Sequence, residues 1–302
     1  MTAAAPAAGA REARNVLHAV LWMLAGDVSF AVMIMFVRAL TDSLSALELA
    51  FWRAMIGSLL MLPFMLRRGI RGLRTTRMGT HALRSVVQYL GIALWFSAIA
   101  HINLSQGTAL QFTVPLFTIA MAAVFLKERV DPFRWAITVA GFGGVLVVLR
   151  PWSAEIPPVA IVAIVSAAGY AAANVVTKVL QRTESSETIV FYMNVMHVPL
   201  ALVPALFVWT GPSLADWPAV LGMSVAASLA HYCLAQGLGK APASVVMPVD
   251  FMKLPLVAGF AWVVFGEPSS VWAWLGGTII FGATWLLTRR ETRRARAAAA
   301  GG

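Results

Sequence analysis

"PLFTIAMAAVFLKERVDPFRW" (115–135) returns later in the chain as "PLVAGFAWVVFGEPSSVWAW" (255–274). The two stretches start on a proline, run apolar for about a dozen residues, and reach Glu128 and Glu267 before the next apolar run, where Trp135 falls on Trp274. The shift is about 140 residues, and it also lays "FWR" (51–53) on "FYM" (191–193) and Arg38 on Lys178. A period this long, with shared Pro, Glu and Trp, marks two copies of one unit.

The 302-residue chain is 60% hydrophobic and 12% charged. Soluble domains hold about 25% charged residues, so this chain is integral to a membrane. A membrane-crossing helix needs roughly 20 apolar residues. That ruler gives ten spans, near 16–37, 46–66, 80–100, 104–126, 132–149, 157–178, 188–209, 217–238, 243–265 and 271–288. The first is too long for the apolar part of a signal peptide and has a counterpart in the second half. Each half therefore carries five spans, an odd number, and the second must sit upside down relative to the first. Inverted repeats are the architecture of secondary carriers, with the substrate site where the repeats meet. The fold expected is an all-α membrane protein of ten transmembrane helices in two inverted repeats. Residues 1–15 form an N-terminal tail, 16–150 and 157–289 the repeats, and 290–302 a basic tail.

Net charge is +10, with no basic stripe interleaved with exposed aromatics, so no nucleic-acid partner is expected. The cations sit in short loops instead. With both termini cytoplasmic, all of the 23 Lys and Arg except Arg38, Arg53, Arg150 and Lys253 fall on the inner side. A multi-pass protein of the cell inner membrane, surrounded by lipid, follows. The single Cys233 rules out an intrachain disulfide. No GxxxxGK[ST] loop, nucleophile–base set or selectivity motif is present, which argues against an ATPase, an enzyme and a channel. No cofactor is expected. His231 with Asp250 lacks the spacing of a metal site, and no metal is expected either.

Ionisable side chains at mid-bilayer cost about 2.5–3.5 kcal/mol on insertion scales, so each needs a reason. Asp250 and Lys253, in "MPVDFMKLPLVAGF" (247–260), share a helix face. They either neutralise each other or meet the opposite charges of a zwitterionic substrate. Pro248 and Pro255 around them, and Pro115 in the fourth span, interrupt helices and free carbonyls that need a cavity or a partner. Asp27, in "AGDVSF" (25–30), is either a proton-coupling carboxylate or a hydrogen-bonded packing residue. Polar and aromatic candidates for the substrate path are Gln88, Tyr89 and Trp95 in "QYLGIALWF" (88–96), His231 and Gln236 in "HYCLAQG" (231–237), and Tyr170 with Asn174 one turn apart. Asn194 and His197 are weaker ones. Glycines in "GFGG" (141–144) and "GG" (276–277) suit close helix packing, or a homodimer face.

Two "P…(L/F)xE" segments, five-plus-five spans and "LELAFWRAMIGSLLMLPF" (47–64) together resemble the EamA-type carriers of the drug/metabolite transporter superfamily. The resemblance covers nearly the whole chain. It implies ten helices around a central cavity open alternately to either side. Arg53 matches the family's arginine of the second span and is expected to be structural or to reach toward a membrane surface; Pro115, Pro255, Glu128 and Glu267 are expected to be structural. Met193 departs from the pattern, standing where Arg53 has its counterpart. Residues 115–151 most resemble the branch of S-adenosylmethionine uptake carriers, with similar segments in riboflavin carriers and opine-metallophore exporters. The cargo expected is a small polar, zwitterionic metabolite derived from an amino acid, with export favoured. Uptake of S-adenosylmethionine or riboflavin is the alternative.

The topology is directly testable. Cysteines introduced at Ser43 and Ser213 are expected to react with an impermeant maleimide in intact cells, and one at Thr75 only after permeabilisation. The reciprocal pattern would overturn the inside assignment of the basic loops.

Overall fold

The capped starts of two helices fix the relation between the halves. Ser45 accepts a hydrogen bond from the Glu48 N–H, and the Glu48 carboxylate answers the Ser45 N–H, a complete capping box. Ser185, at the equivalent position of the second half, accepts from the Thr188 N–H. The computed structural model describes residues 4–67, 74–99, 101, 108, 110–150, 152, 158–266 and 271–300. Its helices are α1 (Ala4–Leu40), α2 (Ala46–Leu66), α3 (Met78–Ile99), α4 (Val114–Phe125), α5 (Pro132–Leu149), α6 (Ala160–Leu180), α7 (Ser186–Leu206), α8 (Trp217–Lys240), α9 (Ala243–Val246), α10 (Lys253–Phe265) and α11 (Val271–Ala300). A 3₁₀ segment, Met247–Met252, joins α9 to α10. Leu40 and Leu180, Ala46 and Ser186, Leu66 and Leu206 are matching helix ends, all separated by the repeat shift.

Among the described residues, eight segments are long and apolar enough to cross a membrane, counting Ala243–Phe265 as one, and α3 and the shorter α4 run with them. The protein is an all-α membrane protein of two repeats, as expected. Its inversion is visible in the loops. Ser43, before α2, donates to Asp216, before α8. At the other end of the bundle Thr75, after α2, donates to Glu184, before α7. So α2 and α7 run in opposite directions. Glu48 braces the Ser43 end by accepting from the Thr210 and Gly211 N–H groups, both at 2.8 Å.

Packing between the halves keeps the same symmetry. α1 lies on α8 as α3 lies on α6, while α2 packs against its own counterpart α7, and α5 against α11. Small residues allow the closest of these approaches. A Cβ on Gly276 would collide with the Gly144 carbonyl oxygen, and one on Gly169 would sit 3.2 Å from the Gly91 Cα. The glycines at 144 and 276, which also suited a dimer face, meet each other inside one chain.

At the basic end the expected C-terminal tail continues α11, which stays helical to Ala300. Arg134 forms a two-pronged pair with Glu291 at 3.0 and 2.7 Å, and Asp131 takes Arg294 and Arg290. The start of α1 is likewise helical from Ala4. Residues 104–107 and 109 of the expected fourth span, and Glu267, lie outside the described residues.

Gly276→Ala is expected to cost about 1–3 kcal/mol by overpacking the α5–α11 crossing, read as a lower melting temperature in detergent. Gly282→Ala, where a Cβ meets nothing within 4 Å, serves as the neutral control. Equal melting temperatures for the two variants would contradict the crossing.

Candidate functional site

Two interrupted helices define the centre of the bundle. Pro248 opens the 3₁₀ segment and Pro255 lies in the first turn of α10, positions where a missing N–H costs no helix hydrogen bond. Pro115 holds the same place in α4, directly after a turn at Phe112 and Thr113. The helices restart at Val114 and Lys253, again one repeat apart. The 3₁₀ segment packs against α4, and the Phe251 ring lies 6.4 Å from that of Phe112, in space that Gly141 leaves open. Asn174 on α6 reaches both breaks: its amide donates to Thr118 at 3.4 Å and lies 3.9 Å from the Met247 sulfur.

Lys253 forms an ion pair with Asp250 across three residues, and its ammonium stands 4.9 Å from the Phe30 ring centroid on α1. Asp27, one turn before Phe30, is 1% exposed, and its Oδ2 has no hydrogen-bond partner. It lies within electrostatic reach of Asp250, Lys253 and Cys233. Two carboxylates and one ammonium thus form a single group between α1 and the broken span.

A second, cationic group lies on α2 and α3. Arg84 on α3 is 3% exposed and donates to Thr177 at 2.6 Å and to Gln88 at 3.2 Å. Gln88 in turn lies 3.4 Å from the His231 Nε2. Arg53 acts electrostatically on Tyr170, His197 and His231. Of the two roles expected of Arg53, these interactions suit a structural one inside the bundle. Among the described residues neither Arg53 nor Arg84 has a carboxylate partner.

Around these arginines lie buried polar atoms with no partner in the protein: Asn194 Nδ2, His197 Nδ1, Ser85 Oγ and Ser228 Oγ. They are neighbours. His197 Nε2 approaches the Ser85 carbonyl at 3.3 Å. A Cβ on Gly57 would sit 2.7 Å from Asn194 Nδ2 and 2.8 Å from Ser228 Oγ. Buried polar groups are nearly always satisfied, so four together mark a place built for something else.

Sequence reasoning counted Arg84 with the basic loops, although Gln88 four residues on places both on one helix face. It ranked Asn194 and His197 low and passed over Ser85 and Ser228. Tyr89 borders the group: its ring lies 6.1 Å from that of His197, and it also packs with Phe51 and Ala201. Other candidates lie apart: Trp95 packs with Ala98 and Ala163. Gln236 donates to Tyr232, and Tyr232 to Glu187. Glu128 pairs with Lys178 at 2.8 Å and accepts from the Ala243 N–H, capping α9. Among the described residues no group of three His, Cys, Asp or Glu could hold a metal ion.

The sequence model of the EamA-like transporter family matches residues 17–150 and again 157–289. A riboflavin transporter of Rhizobium johnstonii is 35% identical over 91% of this chain and 92% of its own length. One of Vibrio cholerae is 32% identical over 93% of this chain and 96% of its own. An S-adenosylmethionine uptake transporter of Rickettsia bellii is 25% identical over 90% of this chain and 94% of its own. A solved crystal structure, 18% identical, superposes with a TM-score of 0.79 over 90% of this chain and 98% of that one.

The charge group makes a stability prediction. Lys253→Met leaves two carboxylates without their cation and is expected to cost on the order of 3–5 kcal/mol. Asp250→Asn leaves Lys253 with Asp27 and costs less. Folded yield in detergent, read by size exclusion, compares them. An Asp250→Asn loss equal to or above that of Lys253→Met would remove Asp27 from the group.

Proposed function

The chain belongs to the EamA-like transporter family, and on that premise we propose that it carries riboflavin, or a close isoalloxazine relative, into the cell. It is a carrier of a small metabolite in a membrane it crosses many times. The basic end of the bundle faces the cytoplasm, and the membrane is the inner one.

One observation carries the choice of cargo: the unpartnered Asn194, His197, Ser85 and Ser228 atoms beside Arg53 and Arg84. Together these side chains offer many donors and acceptors with no paired charge for a zwitterion. A flavin ring system presents the complement. It is neutral overall, with two carbonyl oxygens and one N–H on its imide edge and an apolar benzenoid edge on the other side. Phe112 and Phe142, partly buried beside the broken helices and backed by the buried Phe251, suit the apolar edge. A ribityl chain supplies hydroxyls for the remaining polar groups. Riboflavin is also the cargo in the names of relatives above 30% identity.

The zwitterion reading of Asp250 and Lys253 fits less well, because each charge already faces the other. A bound zwitterion would have to separate them first. Tyr170 and Asn174 remain in the proposed path, between the arginines and the breaks.

Expression in a riboflavin-requiring host without a flavin importer is expected to restore growth at low riboflavin. Asn194→Ala is expected to lower initial uptake about five- to tenfold at equal protein level, as the loss of one or two buried hydrogen bonds requires. No rescue by the wild type, or accumulation of S-adenosylmethionine in its place, would reassign the cargo.

A further inference from the structure

We propose that Asp27, Asp250 and Lys253 form a proton-binding site that couples the proton gradient to movement of the broken ninth span. This rests on the reading of the chain as a secondary carrier and adds its driving ion.

The first ground is charge balance. Asp27 is buried, Asp250 and Lys253 are mostly so, and all three lie within membrane-crossing segments. Fully ionised, the group holds one net negative charge, and an uncompensated charge at this depth is costly. One added proton makes it neutral. A metal ion would do the same only with several ligands around it, and among the described residues no group of three His, Cys, Asp or Glu could hold one.

The second ground is where the spare valence lies. Asp250 is engaged with Lys253, whereas Asp27 Oδ2 is buried with no partner. A proton from water forms its O–H bond there and returns to water on release. The groups facing Asp27 are few. The 3₁₀ segment and α10 bring Asp250 and Lys253, and α8 brings Cys233, with His231 acting on Lys253. α9 and the membrane part of α11, Val271 to Thr288, contain no titratable residue.

The third ground is the hinge. Asp250 sits in the 3₁₀ segment and Lys253 is the first residue of α10. A 3₁₀ stretch between α-helical pieces is a common place for a chain to flex. With Asp27 protonated, Lys253 stays with Asp250, the arrangement seen here. With Asp27 ionised, the ammonium is drawn between two carboxylates and the start of α10 moves toward α1. His231 joins this group to Arg84 and Gln88, so cargo in the polar core and a proton on Asp27 act on one movable element.

Two measurements on the full chain test the site. Infrared difference spectra of the purified, substrate-free protein are expected to show a protonated carboxylic acid band that titrates away as pH rises and is missing in Asp27→Asn. The same band in Asp27→Asn overturns the proposal. In proteoliposomes, an inward gradient of one pH unit is expected to drive up to about tenfold riboflavin accumulation for one proton per cargo. Asp27→Asn is expected only to equilibrate riboflavin while keeping counterflow, and Asp27→Glu to regain accumulation. Wild-type counterflow with no response to the gradient overturns the proton site and leaves the carrier reading intact. Absent counterflow in the wild type overturns the riboflavin reading instead, and the infrared band alone then decides the proton site.

Discussion

A charge inside hydrocarbon is costly unless something in the protein offsets it, and the pairing of Lys253 with Asp250 is the contact that holds the broken span in place. The pair adds little net stability, since desolvation offsets most of its attraction. Its effect is positional. It ties the 3₁₀ segment to the start of α10, and through Phe30 and Asp27 it holds both against α1. The broken span can persist because its free ends are served. Glu128, from the first half, caps α9, and Lys178 donates to the Ala241 carbonyl just before it. Irregular backbone at membrane depth is tolerated only with such partners.

Much of this was legible in the sequence for physical reasons. Spans follow from apolar length, and the inversion follows from an odd number of spans per repeat. Prolines forecast both breaks, because a missing N–H is best placed in the first turn of a helix, although Pro63 in α2 and Pro199 and Pro204 in α7 stand inside unbroken helices. Side-chain direction was harder to read. Gln88 and Tyr89 are adjacent, yet one faces His231 and the other packs on Phe51, because successive residues point about 100° apart around a helix. Arg84 was hidden by its neighbours: Arg74 and Arg77 make it look like the end of a basic loop, and only its contacts with Thr177 and Gln88 reveal an interior residue. The unpartnered Ser85, Asn194, His197 and Ser228 could not be told from ordinary polar residues of apolar helices until three helices were brought together around Gly57 and Arg84.

Relatives with different cargo in their names share this architecture, which fits the wider rule that a fold hosts many functions and the site decides among them. On the reading proposed above, the decision falls to a few interior side chains on α2, α3, α7 and α8, beside a charge group on α1 and the ninth span. One group is rich in donors without carboxylates, and the other holds one carboxylate more than its cation. That asymmetry suits a division of labour between a neutral cargo and a proton.

Equilibrium binding of riboflavin to the purified protein, read as quenching of flavin fluorescence, tests the placement of the cargo most directly. Saturable quenching is expected, weakened about tenfold by Asn194→Ala and little changed when Asp250→Asn and Lys253→Met are combined. Binding that the charge-pair double variant abolishes and Asn194→Ala leaves untouched would place the cargo on the charges and contradict a site in the polar core.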